Sequence, residues 1–204
     1  MELLRCGFEG ALIEVEDRDA LLALHAAWRA RRPKGVLELV PAARTLLVRF
    51  DPRQTSFEQL RENLAEAPLR TEASPAPAVV VVPVRYNGAD LAEVAEATGL
   101  SQGDVIRRHT ERRYTVAFCG FAPGFAYLTG LDPVLHMPRR SSPRVSVPAG
   151  SVALADEYTG IYPRSSPGGW RLIGTTELTV WDPCRTPPAV LTPGTSVQFE
   201  VVGQ

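Results

Sequence analysis

The segment from Phe118 to Thr176 limits the possible folds of this chain more than any other part. It opens FCGFAPGFAYLTGLDP and closes IYPRSSPGGWRLIGTT, so glycine or proline interrupts it every few residues. Proline removes a backbone donor and glycine raises the entropy cost of order, so a regular helical period does not survive there. Short apolar runs remain between the breaks. A chain that turns this often and still keeps a core builds a barrel or sandwich of short strands.

The flanking sequence extends that reading. Ala78–Arg85 (AVVVVPVR) is an almost unbroken β-branched run, which predicts a strand buried on both faces or at a sheet centre, with Pro83 placing its end at an edge or bulge. Ala89–Thr98 follows as a helix closed by Gly99. Ser101, with an acid three residues on at Asp104, caps a further helix through about Thr110. Beyond Tyr114 the predicted strands are Thr115–Cys119, Val145–Val147, Ser151–Leu154, Trp170–Gly174, Glu177–Val180 and Ser196–Val202. Together they read as a closed or nearly closed antiparallel β-barrel.

The N-terminal part has a different pattern. Residues 2–16 read as two short strands around a turn at Gly7–Gly10. Asp17 then caps a helix whose apolar positions Leu21, Leu24, Ala27 and Trp28 recur at spacings of three and four, until Pro33 and Gly35 stop it. Gly35–Val40 and Thr45–Phe50 form a predicted hairpin, and a second helix spans about Ser56–Glu66. This is a compact two-layer α+β pattern. Residues 67–78, APLRTEASPAPA, have no period and read as a linker. The expected fold is therefore α+β: a small two-layer domain over 1–76 and a β-barrel domain over 77–204.

The 204 residues carry a net charge of −1, which gives no general attraction toward nucleic acid or anionic membrane. Cys6, Cys119 and Cys184 are far apart, odd in number and without a CxxC pair, which fits a reducing compartment better than a disulfide framework. His25, His109 and His136 lack the spacing of zinc ligands. No apolar run approaches the roughly 18 residues of a membrane span, and MELLRCGFEGALIEVED does not read as a signal peptide. These observations predict a cytoplasmic protein.

The residues available for chemistry cluster in the second half. Arg107, Arg108, Arg112 and Arg113 flank His109, while Arg139, Arg140, Arg144, Arg164 and Arg171 fall in the Gly/Pro-rich segment with few acids beside them in sequence. Such a set either binds a carboxylate or phosphate through planar guanidinium forks or is a solvated basic face. In SSPGGW, Ser166, Gly168 and Gly169 precede a strand. The glycine pair is either a backbone nest for an anion or an ordinary turn. In GFAPGFAYL, Phe121, Pro123, Phe125 and Tyr127 either line an apolar pocket or fill a barrel corner. His109 is the acid–base candidate, with nearby arginines favouring its neutral form, and the alternative is a structural histidine. The chain has neither a GxxxxGK[ST] phosphate loop nor a GxSxG nucleophile elbow.

Taken together, HTERRYTVAFCGFAPGFAYLTGLDPVLHMPRRSSPRVSVPAGSV and TGIYPRSSPGGWRLIGTT resemble the family of 5-oxoprolinase B subunits, also called allophanate hydrolase subunit 1, which includes sporulation-kinase inhibitors. VPAARTLLVRFDP is compatible with that family's small first domain. The resemblance implies a cyclophilin-like C-terminal β-barrel, the 5-oxoprolinase C subunit as direct partner in a composite site, and participation of the A subunit. It implies ATP-dependent opening of the 5-oxoproline lactam to L-glutamate. Kinase inhibition, or a carboxyl-transfer role as in urea carboxylase, are the alternatives it carries. By the same likeness Arg139 and Arg144 become anion contacts, His109 a proton-transfer or orienting group, and Gly168 and Gly169 backbone oxyanion contacts, with Ser166 beside them. Pro148, Tyr162 and Trp170 join the pocket lining. One departure stands out: where the family pattern reads A-G-x-Q-T-G-I-Y-P, this chain has Ala155-Asp156-Glu157-Tyr158-Thr159-Gly160-Ile161-Tyr162-Pro163.

Overall fold

The computed structural model describes residues 1–67 and 79–203. The chain divides into two compact units, Met1–Ala76 and Pro77–Gln204. Apart from Ala67, the linker expected at 67–78 lies outside the described residues.

The first unit runs β1 (Glu2–Arg5), β2 (Gly10–Glu14), α1 (Arg18–Ala30), β3 (Val36–Pro41), β4 (Thr45–Phe50) and α2 (Phe57–Ala65). Its antiparallel sheet has the order β1-β2-β4-β3. The period-two alternation of the strands sends Ile13, Leu46, Val48 and Phe50 to one face, where they pack with Leu21, Leu24 and Trp28 of α1 and Leu60 and Leu64 of α2. Asp17 and Ser56 cap the two helices by accepting the N–H groups of Ala20 and Gln59. His25, on α1, is half-buried, and burial lowers its pKa.

The second unit begins with β5 (Val79–Val84), α3 (Leu91–Thr98) and α4 (Gln102–Thr110) and continues through β6 (Arg113–Cys119) and β7 (Ala126–Thr129). After a short 3₁₀ turn come β8 (Arg144–Val147), β9 (Ser151–Ala155), β10 (Tyr158–Ile161), β11 (Ser166–Gly168), β12 (Arg171–Thr175) and β13 (Ser196–Val201). Seven strands form one sheet in the order β12-β9-β10-β7-β6-β13-β5, and β8 and β11 pair separately. Reciprocal 2.8 Å backbone bonds between Arg85 and Thr175 join the two ends of that order, so the sheet is nearly closed. Its interior holds Val82, Val84, Tyr114, Val116, Leu128, Leu154, Ile173 and Phe199, with Val94 and Val105 contributed by the helices.

Every residue of β9 is buried, since the strand is covered on both sides. Val152 and Leu154 face the barrel core, whereas Ala153 and Ala155 belong to a second cluster with Phe125, Val147, Tyr162, Trp170 and Leu172. The β8–β11 ribbon thus supplies a second layer over the barrel wall.

The α+β class and the barrel-like sheet agree with the sequence, with four differences. The barrel is not wholly antiparallel, because β5 runs parallel to β13. The helical crossover through α3 and α4 makes a parallel pair possible. β5 is not buried on both faces: it ends the hydrogen-bonded order, and its residues alternate, with Val82 and Val84 fully buried and Val81 46% exposed. That edge position tolerates Pro83. Glu177–Val180 is not a strand. The Arg185 guanidinium donates to the carbonyls of Thr179, Val180 and Pro188, pinning this stretch as loop. Finally, β7, β10 and β11 were not foreseen; all three lie in the Gly/Pro-rich segment.

Candidate functional site: an aromatic wall beside an arginine–carboxylate lattice

Between β6 and β7 the sequence GFAPGF makes two turns in succession. Ala122 N–H donates to Gly120 C=O at 2.7 Å, with Phe121 between them at φ 66°, a tight turn seldom adopted by a bulky residue. Phe125 N–H then returns to Ala122 C=O at 3.0 Å around Pro123 and Gly124, whose φ of 82° is the value that turn requires of its third residue. A Cβ on Gly124 would lie 2.4 Å from Trp181. The result buries Phe125 and leaves Phe121 62% exposed.

Phe125 stands edge-on to Phe121, Tyr127, Tyr162 and Trp170, at centroid distances of 5.1 to 5.4 Å. Tyr127 stacks on Phe118 at 4.3 Å and meets Tyr158 edge-on. Most of the expected pocket lining therefore packs against itself as a cluster, with Phe121 as its exposed rim; Pro123 and Pro148 are also exposed. Tyr162 is buried, and burial raises its pKa, against a backbone N–H from Trp170 and the charges of Arg139 and Arg144. A Cβ at Gly168 would meet the Tyr162 hydroxyl at 2.2 Å, which explains the glycine by space. Neither Gly168 nor Gly169 takes a positive φ. Gly168 pairs with Arg144 within the β8–β11 ribbon, and Gly169 C=O accepts Arg140 N–H at 2.7 Å. The pair forms no anion nest of alternating handedness. Ser166 donates to Arg164 C=O at 3.2 Å.

Among the described residues, seven of the nine clustered arginines do face acids, contrary to their sequence neighbourhood. Asp90, at the start of α3 and 2% exposed, accepts Arg140 Nη1 at 3.0 Å and Arg144 Nη2 at 2.7 Å through one oxygen, and Leu172 N–H at 2.7 Å through the other. Burial pushes this carboxyl up, but those bonds and the two guanidinium charges hold it below the ordinary range. Glu93 takes a short bond from Arg171 and a longer one from Arg140. Arg108 and Arg112 reach the buried carboxylate of Asp132 at 2.8 and 3.3 Å. Arg139 has a looser contact: its Nε lies 3.8 Å from Asp156 Oδ2, with both side chains more than half exposed.

His109 is fully buried among Tyr86, Tyr114 and Phe199. Thr159 donates its hydroxyl proton to Ala153 C=O, so it accepts from His109 Nε2 at 3.0 Å, and Nδ1 accepts from Tyr86 OH at 2.7 Å. Burial, rather than neighbouring arginines, lowers its pKa to about 3. This geometry suits orientation of α4 against β10 better than exchange of protons with a ligand. Asp90, Glu93, Tyr86 and Thr159 were missed in the sequence. Asp90 does carry a signal, an acid ahead of a helical run.

Asp156 sits in the two-residue turn joining β9 to β10, at φ 52°. The glycine of the family pattern would occupy that left-handed conformation freely; Asp is among the side chains that tolerate it. Tyr158, at the pattern's glutamine position, packs edge-on against Phe118 and Tyr127. Among the described residues no three metal-binding side chains converge. No helix there is long and apolar enough to cross a membrane. An open polar cleft of about 300 Å³ occurs in the first unit, lined by Lys34, Gln54, Gln59 and Glu62 among others, and holds none of the candidate residues.

A nearly closed barrel layered with an arginine-bearing ribbon, in a chain that starts with a small α+β unit, defines the class. Residues 1–191 match the model for the carboxyltransferase domain, subdomain C and D, and the chain belongs to that family. It is 38% identical over 211 residues to the 5-oxoprolinase B subunit of Escherichia coli O157:H7, covering 98% of this chain and 96% of that protein. The Bacillus subtilis (strain 168) protein of the same name is also 38% identical, over 90% of this chain and 83% of its own length. Among solved structures, TTHA0988 superposes with a TM-score of 0.83 at 39% identity over 97% of this chain, which spans 40% of TTHA0988. PH0987 from Pyrococcus horikoshii, a conserved uncharacterized protein, matches with a TM-score of 0.60 at 37% identity, with 100% and 98% coverage. Kluyveromyces lactis urea carboxylase shares the fold, with a TM-score of 0.74 at 19% identity, over 98% of this chain and 22% of that one.

Proposed function

We propose that this chain is the B subunit of an ATP-dependent 5-oxoprolinase, which opens the 5-oxoproline lactam to L-glutamate together with the C and A subunits. The observation that carries this reading is its 38% identity, along nearly the full length of both chains, to a protein named as the B subunit of 5-oxoprolinase. A lactam carbonyl is a poor electrophile, and phosphorylating its oxygen with ATP makes attack by water feasible. In TTHA0988 a segment like this chain forms 40% of a longer polypeptide, which fits a protein that works joined to another.

Within such a complex this chain contributes a wall rather than a closed pocket. Phe121 and its aromatic neighbours form the apolar part, and Arg139 is the cation placed to meet the substrate carboxylate. Arg140 and Arg144 position the loop by binding Asp90, and His109 orients the core beneath. The residues offer ATP no ready cradle: the chain has no phosphate loop, the clustered guanidiniums are already engaged with Asp90, Glu93 and Asp132, and Gly168–Gly169 makes no nest. ATP is therefore assigned to the partner proteins.

The test mixes the chain with its C and A partners, 5-oxoproline and ATP, and follows glutamate. Release no greater than that of the C and A pair alone removes the reading. The family description favours a second reading as a carboxyl-transfer component. Transfer of labelled bicarbonate carbon to an amide substrate by a complex containing this chain, without glutamate formation, would replace the first reading with the second.

A further inference from the structure

The contact between Arg139 and Asp156 is too long for a hydrogen bond and too exposed to hold the fold together. Yet the backbone is arranged to make it. Asp156 keeps a left-handed φ of 52°, and its N–H donates to Met137 C=O at 2.7 Å, two residues before Arg139. That bond ties the β9–β10 turn to the arginine loop and delivers the carboxylate to the guanidinium. Pro138 C=O and Arg140 N–H are held in turn by Arg171 and Gly169. The charge of Arg139 also lowers the pKa of the Tyr127 and Tyr162 hydroxyls, against the larger upward effect of their burial.

We propose that Asp156 is an internal competitor for Arg139, and that it sets the affinity of this site for a small carboxylate substrate. The incoming carboxylate exchanges with the Asp156 carboxylate on one guanidinium, and no covalent bond changes. The inference rests on the reading of Arg139 as the substrate anchor in a 5-oxoprolinase. An exposed pair at this separation is weak, so Asp156 tunes binding rather than blocking it; its removal is expected to tighten binding by about two- to fivefold.

Two measurements test this. In the reconstituted complex, Asp156→Asn and Asp156→Gly are expected to lower KM for 5-oxoproline by about two- to fivefold, and Arg139→Gln to raise it. In an Arg139→Gln background, Asp156→Asn should give no further gain. The second measurement uses the chain alone: the Arg139 Nε–H resonance is titrated with 5-oxoproline and, separately, with acetate. The midpoint should move to lower concentration in Asp156→Asn. An unmoved midpoint, or an Arg139 resonance that ignores both carboxylates, overturns the proposal. If the wild-type complex makes no glutamate, the enzyme reading fails, while the acetate titration still decides whether Asp156 competes.

Discussion

At the scale of single residues, two buried ionisable groups make the second unit sensitive to acid. His109 is neutral in the folded chain down to about pH 3, whereas an unfolded histidine takes its proton near 6.5. Between those values the unfolded state binds the extra proton, so stability falls as pH drops from about 6.5 to 3. Asp90 adds a loss at lower pH: its depressed pKa stabilises the fold above the ordinary carboxylate value, and that contribution disappears as pH falls through its folded value. Urea unfolding of His109→Gln across pH 3 to 6.5 should show a flatter slope than wild type, by up to about 1.4 kcal/mol per pH unit. Asp90→Ala takes the carboxylate from Arg144 and from the buried Leu172 N–H and leaves Arg140 with Glu93 alone, and a loss of about 3 kcal/mol is expected in the same assay. His109 was visible in the sequence as the one histidine among arginines, but its neighbours there gave the wrong cause for its neutrality. The partners that matter, Tyr86 and Thr159, are 23 and 50 positions away. Asp90 showed only as an acid ahead of a helical run; its ion pairs were hidden for the same reason, since it meets arginines 50 and 54 positions on.

At the scale of elements, the helices and the hairpins of the first unit were legible because caps and hydrophobic period are local signals: Asp17, Ser56, Ser101 and Gly99 all stand at helix ends. The short strands β7, β10 and β11 were not, because each is three or four residues long and takes its identity from its partner. Glu177–Val180 erred the other way: its alternation looks like a strand, but backbone pairing begins at its end, where Val190 N–H donates to Val180 C=O and Trp181 bridges Ala189, while the Arg185 guanidinium donates to the Thr179 carbonyl. The β8–β11 ribbon gives a direct check on how it is seated. Gly168→Ala drives a methyl into the buried Tyr162 hydroxyl, and a loss of about 1–3 kcal/mol is expected by thermal or chemical unfolding. No loss would mean that the ribbon shifts freely over the aromatic cluster.

At the scale of the whole molecule, each hydrophobic core is built from residues of one unit alone. Leu60→Ala and Leu128→Ala each remove a fully buried side chain, one from each unit, at about 2–5 kcal/mol. Calorimetry should show each substitution moving a different transition; a single transition moved by both would show that the units unfold together. The barrel has one more consequence, which concerns its synthesis. β5 is the first strand of the second unit to leave the ribosome, and its ladder partner β13 is the last. Until Val201 has cleared the exit tunnel, the apolar residues of β5 lack the strand that pairs with them along their length. A nascent chain stalled before Ser196 should therefore present Val79–Val84 to chaperones, whereas one released beyond Val201 should not.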